Sequence, residues 1–206
     1  MKTVNYVFFF FFMFTFMTNC NKKEDNVKSE FELVAADNLD DNEYQIYSLI
    51  LDEKYTTSNY LLIEQETFSS SSISFGNNYY ESLKTENPNL DTTIFGDFIE
   101  KNDKVHNLDK KFNNSTRSIV IISSEEIKYF FNSQDLNKDW NEFYENYPSS
   151  NGFIKFARVG FNVDKSQGIV EIGHYYGSLG ADGFLIYVVK ENNTWRIVEI
   201  INTWVS

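Results

Sequence analysis

Hydrophobic positions fall into two regimes along the chain, one with helical spacing and one with strand spacing. The last third, Phe153 to Ser206, is crowded with Val, Ile, Phe, Tyr and Trp, while Gly, Asn, Asp and Ser fill the gaps. That pattern predicts a four-stranded meander: Phe153–Phe161, Gly168–Gly177, Gly183–Lys190 and Thr194–Trp204. The polar NVDKSQ, the glycine-rich GSLGADG and a turn at Asn192-Asn193 join these strands. Upstream, Ile46, Leu49 and Ile50 recur at helical spacing and predict a helix over Asp41 to Lys54, with Asp40 and Asp41 at its N-cap. A strand over Tyr60–Glu66 follows, then a serine-rich loop, FSSSSISFGNN. A second helix, Asp91 to Lys104, carries Ile94, Phe95, Phe98 and Ile99. SIVIIS (Ser118–Ser123) reads as a buried strand, because β-branched residues dominate it. Ser123 and Glu126 have capping-box spacing at the start of a further helical run.

The clearest period lies in Asn137 to Tyr147, where Trp140, Phe143, Tyr144 and Tyr147 sit at i, i+3, i+4 and i+7 before Pro148 ends the run. Such an aromatic stripe is either a sugar platform or a buried helix face, and burial is the commoner outcome. The expected fold class is α+β: an antiparallel sheet built on the C-terminal four-stranded meander, with helices packed on one face and a loop or partner over the other. With 206 residues the chain holds one domain with a substantial core, over 41–206.

The N-terminus adds an address. Lys2 precedes an apolar run, Val7 to Thr18, shorter than the roughly 20 residues that span a bilayer and suited to a secretory signal. The chain's single cysteine, Cys20, follows directly. Met17-Thr18-Asn19-Cys20 resembles the lipobox of bacterial lipoproteins, with Asn19 where Gly or Ala is usual. The resemblance implies acylation of Cys20, removal of residues 1–19, and a membrane anchor. Uncleaved anchoring and ordinary signal cleavage are the alternatives. Asn21-Lys22-Lys23-Glu24-Asp25 resembles the surface-export signals of Bacteroidetes lipoproteins, which implies an outer-membrane, surface-exposed protein. The polar stretch from Cys20 to Asp40 reads as an acidic tether.

Charge narrows the partners. The formal net charge is −12, and an acidic surface repels phosphate backbones, so nucleic acid is disfavoured as a partner. Cleavage before Cys20 removes one basic residue, Lys2, and no acid, leaving −13 on the mature chain. One cysteine permits no internal disulfide.

EYQIYSLI, WNEFYENYPSSNG, ARVGFN and the terminal TWVS together resemble a recurring family of uncharacterised bacterial exported proteins and lipoproteins, over about Glu43 to Ser206. YVVKENNTWRIVEI also resembles the closing hairpin of NTF2-like domains. Neither resemblance carries a catalytic residue, and the second fold hosts many functions.

The candidate chemistry lies on the meander. If Phe161 faces Gly168 and Gly177 faces Gly183, then Arg158, Glu171 and Arg196 form one row, with Tyr175 and Tyr187 on the same face. This row reads as an anion site, with Glu171 holding the guanidinium groups, or as cross-strand charge pairing. His174 then shares the opposite face with Lys155, Ile186 and Glu199. His174 and Glu199 read as an acid–base pair or as a buried, hydrogen-bonded histidine. His106 is expected to be exposed. GSLGADG joins two strands and lacks a Walker lysine, so it is no phosphate loop. HExxH, GxSxG, CxxC and EF-hand patterns are missing, and two histidines argue against a zinc site, so no cofactor or metal is called for.

Three function classes follow. The first is an envelope lipoprotein binding a small anionic ligand or a partner. The second is an inhibitor or immunity protein against a cationic hydrolase. The third is a small enzyme using His174 and a carboxylate.

Overall fold

The structure, a computed structural model, describes residues 31–58, 60–69, 77–113 and 117–206. The leader, Cys20, most of the tether and the centre of the serine-rich loop lie outside the described residues.

Asp40 opens helix α1, Asp41–Lys54, by accepting from the backbone N–H of Asn42, while the Glu43 side chain reaches back to the Asp40 N–H in a capping box. Strand β1, Tyr60–Glu64, is followed by helices α2, Asn77–Glu86, and α3, Thr93–Lys101. Strand β2, Ser118–Ile122, leads into α4, Ser124–Phe130, whose N-cap Ser123 accepts from Glu126 N as its spacing predicts. Helix α5, Leu136–Asn146, precedes β3, Phe153–Phe156, and β4, Gly160–Phe161. The long strands β5, Gln167–Gly177, β6, Gly180–Glu191, and β7, Thr194–Val205, complete the sheet. At the β6–β7 turn Asn192 and Asn193 both take positive φ, 49° and 65°. That is the two-residue hairpin geometry the Asn-Asn pair predicts.

The sheet runs β2-β1-β3-β5-β6-β7, with β4 beside β5. β1 is parallel to both β2 and β3, whereas the other pairs are antiparallel. The α+β class and the C-terminal strands match expectation, but the sheet is mixed rather than antiparallel. Parallel neighbours cannot be joined by a hairpin. The β1–β2 connection carries α2 and α3, and the β2–β3 connection carries α4 and α5.

Helices cover both faces, not one. On the first face α1 buries Tyr44, Ile46, Tyr47, Ile50 and Leu51 against Ile63, Ile154, Phe156, Val170, Ile172 and Ile186. On the second, α2 and α3 bring Leu83, Ile94 and Phe98 onto Ile169, Leu185 and Tyr187. Beside them α4 and α5 bring Phe130, Trp140 and Phe143 onto Leu62, Ile122 and Phe153. The continuous apolar stretches of β1 and β5 require this, since alternate residues point to opposite faces and both sets are apolar.

A bulge joins β3 to β4. Phe156 pairs with Ile172 and Gly160 with Ile169, so Ala157, Arg158 and Val159 oppose only Val170 and Glu171. Asn102, at the end of α3, clamps the bulge: its Oδ1 accepts from Arg158 N at 2.8 Å and its Nδ2 donates to Arg158 O at 3.1 Å. Gly160 lets α3 approach, because a Cβ there would lie 2.4 Å from Phe98 Cβ.

Candidate functional site: a cleft at the turn end of the sheet

The predicted Arg158–Glu171–Arg196 row does not form. Two of its assumed pairings hold, Phe161 with Gly168 and Val189 with Arg196. The β5–β6 hairpin, however, turns tightly at Ser178-Leu179, so Gly173, not Gly177, faces Gly183, and Glu171 faces Leu185. The bulge removes Arg158 from the row as well. Its guanidinium instead grips the Glu43 carboxylate, Nη2–Oε1 2.6 Å and Nε–Oε2 3.2 Å. Burial opposes the charge on Arg158, but the Glu43 hydrogen bonds outweigh it and raise the pKa. Glu171 is buried on the α2–α5 face, with Tyr175 and Tyr187 on that same face as expected. Arg196 lies four residues away in register, opposite Val189 and Gln167, and its Nη2 meets Glu191 Oε1 at 2.6 Å in the open.

What the structure does bring together is Arg196 and Tyr187, in a cleft of about 370 Å³. Residues 86–90, linking α2 to α3, form its wall, and β5, β6 and β7 form its floor. Gln167 stitches the two: its Oε1 accepts from Asp91 N at 2.8 Å and from Tyr187 OH at 3.0 Å, and its Nε2 donates to Asn89 O at 3.0 Å. Burial raises the Tyr187 pKa while Arg196 opposes the shift, so the phenol is protonated at neutral pH. Beside the cleft, Glu199 accepts from Asn87 Nδ2. Burial, followed by a hydrogen bond to the Glu86 carboxyl, pushes the Glu199 pKa up. The cleft therefore offers a solvent-reaching guanidinium, a phenol and carboxamides. Arg196 can pair with an anion there, in competition with Glu191, which already engages that guanidinium and lines the cleft together with Glu86.

His174 lies with Val170, Ile172 and Ile186 on the α1 face, as expected. Its predicted companions do not. Lys155 points to the other face, where its Nζ meets Glu64 Oε1 at 2.7 Å over the Phe68 ring. A register shift between Tyr187 and Val188 carries Glu199 opposite Tyr187 and away from His174. The carboxylate near His174 is Asp182, directly across β6, Nδ1–Oδ1 3.9 Å. His174 Nε2 donates to the Asn151 carbonyl at 2.6 Å, which leaves Nδ1 facing Asp182. Tyr55 packs edge-on at 5.1 Å between ring centroids. The adjoining cavity, about 10 Å³, has room for one water and no substrate.

Burial lowers the His174 pKa, with the Asn151 bond and Asp182 acting against it. A histidine depressed in the folded state adds stability above its unfolded pKa of about 6.5, and that stability is lost as pH falls through the folded value. Acidification from about pH 7.5 to 5 is therefore expected to lower the urea midpoint more in wild type than in His174→Gln. Parallel curves would contradict the burial argument. His106 is half-buried rather than exposed: its Nδ1 lies 3.6 Å from Asp37.

The aromatic stripe of α5 is core. Trp140, Phe143 and Tyr147 are buried, and the Tyr144 hydroxyl donates a hydrogen bond to Tyr176 O at 2.9 Å. Trp140 also closes one side of an apolar groove of about 320 Å³ with Phe131, Phe153 and Tyr175.

Sequence reasoning missed Glu43, Gln167 and Asp182 as site residues. The Asp40–Glu43 capping-box spacing was a usable signal for Glu43; the other two depend on register. Among the described residues no cluster of three or more His, Cys, Asp or Glu side chains is placed to hold a metal, and no helix is long and apolar enough to cross a membrane. Comparison with protein-family models, curated proteins and solved structures returns no match.

Proposed function

We propose that the chain is a ligand-binding domain of the bacterial cell envelope, of the exported lipoprotein kind its sequence resembles, tethered by lipid on Cys20 to the outer membrane. The cleft beneath residues 86–90 takes a small anionic ligand, with Arg196 pairing its charge and the hydrogen-bonded pair Tyr187–Gln167 shaping the floor beneath it. The observation that carries this reading is the convergence of Arg196 and Tyr187 in one open concavity of ligand size. Support for the anchor is the placement of the single cysteine directly after an apolar leader core. An unmodified Cys20 in the mass spectrum of the cellular protein would remove the tether from the reading.

Phosphate, sulfate and small carboxylates at millimolar concentration test the cleft by thermal shift. A ligand at about 100 times its Kd stabilises by about 2.7 kcal/mol, roughly 5–10 °C for a domain of this size. Arg196→Ala is expected to abolish that shift and leave the ligand-free melting point within about 1 °C, since exposed ion pairs contribute little. No shift with any anion would sink the proposal.

A second reading rests on charge. At −13 the mature chain suits a cationic protein target, because acidic surfaces speed association with basic ones. Its mark is capture of a basic protein at low salt and release at high salt. An enzyme built on His174 has the least support, since the cavity beside it admits only one water.

A further inference from the structure

The cleft leaves the aromatic groove unexplained. Its lining includes Ile127 from α4 and Phe131 at the C-cap of α4, Leu136 and Trp140 from α5, and Phe153 and Tyr175 from the sheet, and no charged side chain. Ring stacking holds its shape: Phe153 lies nearly parallel to Trp140, at 18°, and to Tyr175, at 16°. Gly177 and Ser178, also on its wall, lead into the tip of the β5–β6 hairpin. At that tip Leu179 is 88% exposed, the largest exposure of any leucine in the described residues. Leu136 is 48% exposed and lies near it, since Ser178 Oγ donates to Asn137 Oδ1 at 2.7 Å. A protruding leucine and an apolar hole thus stand side by side on one surface.

We propose that this surface is a self-complementary dimer interface, in which Leu179 of each copy seats in the aromatic groove of the other. A knob and a hole adjacent on one face satisfy the requirement of a two-fold interface, where the same patch serves both partners and the assembly closes at two. Burying a leucine from near-full exposure favours association, and a two-fold pair does so twice.

Two observations favour a second copy over other occupants. Residues 21–30 of the tether, NKKEDNVKSE, hold one apolar side chain, Val27, and so offer little apolar surface to match the groove. They join the described chain at Phe31, which packs on Tyr129 at 5.3 Å. Tyr129 lies two residues from both Ile127 and Phe131, on the far side of α4 from the groove. The rim charges point the same way. Asp135, the N-cap of α5, whose carboxylate accepts from Asn137 N and Lys138 N, and Lys138 in its first turn flank Leu136, and both are exposed. A rim with both signs can pair with its own copy across a dyad, whereas a basic partner calls for an acidic rim. The overall charge of −12 opposes association at long range only, and salt screens it beyond about 8 Å at physiological strength.

Sedimentation of the full chain in mild detergent, over a hundredfold range of concentration, tests this. Wild type is expected to sediment at twice the chain mass, dissociate on dilution, and associate more tightly as salt rises. Leu179→Glu should weaken association at least a hundredfold while leaving far-UV circular dichroism and the melting point of the monomer unchanged. Leu136→Glu, near the same hairpin tip, should act in the same direction. A wild type that stays monomeric at the highest concentration overturns the proposal. So does a dimer unaffected by both substitutions, or a groove that co-purifies with a different protein while the chain itself remains single.

Discussion

Replacing Glu43 by alanine is expected to cost about 3–5 kcal/mol of folding stability, the range for removing one partner of a buried ion pair. Glu43 is wholly buried. Its carboxylate accepts from Arg158 Nη2 and Nε, from Val159 N at 3.1 Å, from Asp40 N at 3.3 Å and from Tyr47 OH at 3.3 Å. One side chain therefore ties the first turn of α1 to the β3–β4 bulge. Without it the Arg158 guanidinium, only 15% exposed, stays buried with no counter-charge, and the Val159 N–H loses its acceptor. The double variant Glu43→Ala, Arg158→Ala should lose less than the sum of the two single changes, because removing both ends abolishes the uncompensated charge. Urea denaturation measures all three. A single-variant loss under about 1 kcal/mol would mean that the pair is solvated and does not hold the bulge.

Trp140→Ala is the second large effect, expected at about 3–5 kcal/mol. The indole is 8% exposed and meets Phe131 at 4.7 Å, Phe143 at 5.2 Å and Phe153 at 6.1 Å between ring centroids. Because the hole left behind opens onto the groove, water relieves part of the cavity cost, which places Trp140 at the lower end of that range. Phe143, wholly buried among the same rings, should fall at the upper end. A denaturation midpoint that barely moves in Trp140→Ala would return the stripe to the surface and make it a binding platform.

Local chemistry made much of this fold readable in the sequence. The span of α1 matches its predicted bounds, and the Ser123 cap and the Asn192-Asn193 turn follow from single residues whose side chains or φ preferences act on their own backbone. What could not be read is long-range register. Alternating apolar residues do not reveal whether β1 runs parallel or antiparallel to its neighbours, and an apolar helix stripe does not say which face of a two-sided sheet it covers. The extra residue at Ala157–Val159 and the tight turn at Ser178-Leu179 each shift the pairing. Between them they send Arg158 to Glu43 and His174 to Asp182. Helix α2, Asn77–Glu86, went unread because the serine-rich stretch before it suggested a longer loop. Arg196 and Tyr187 nevertheless meet in the cleft, since the hairpin that places them was the one fixed by the Asn-Asn turn.

Anion binding through Arg196, proposed for the cleft over β5, β6 and β7, is open to a direct test. A ¹⁵N NMR titration with phosphate, sulfate and a small carboxylate locates binding directly. Saturable shifts are expected in the Arg196 side-chain Nε–H, the Gln167 side-chain amide and the backbone of residues 86–91, all lost in Arg196→Ala. Linear, unsaturated drift at those positions, or saturable shifts that persist in Arg196→Ala, would contradict the proposal.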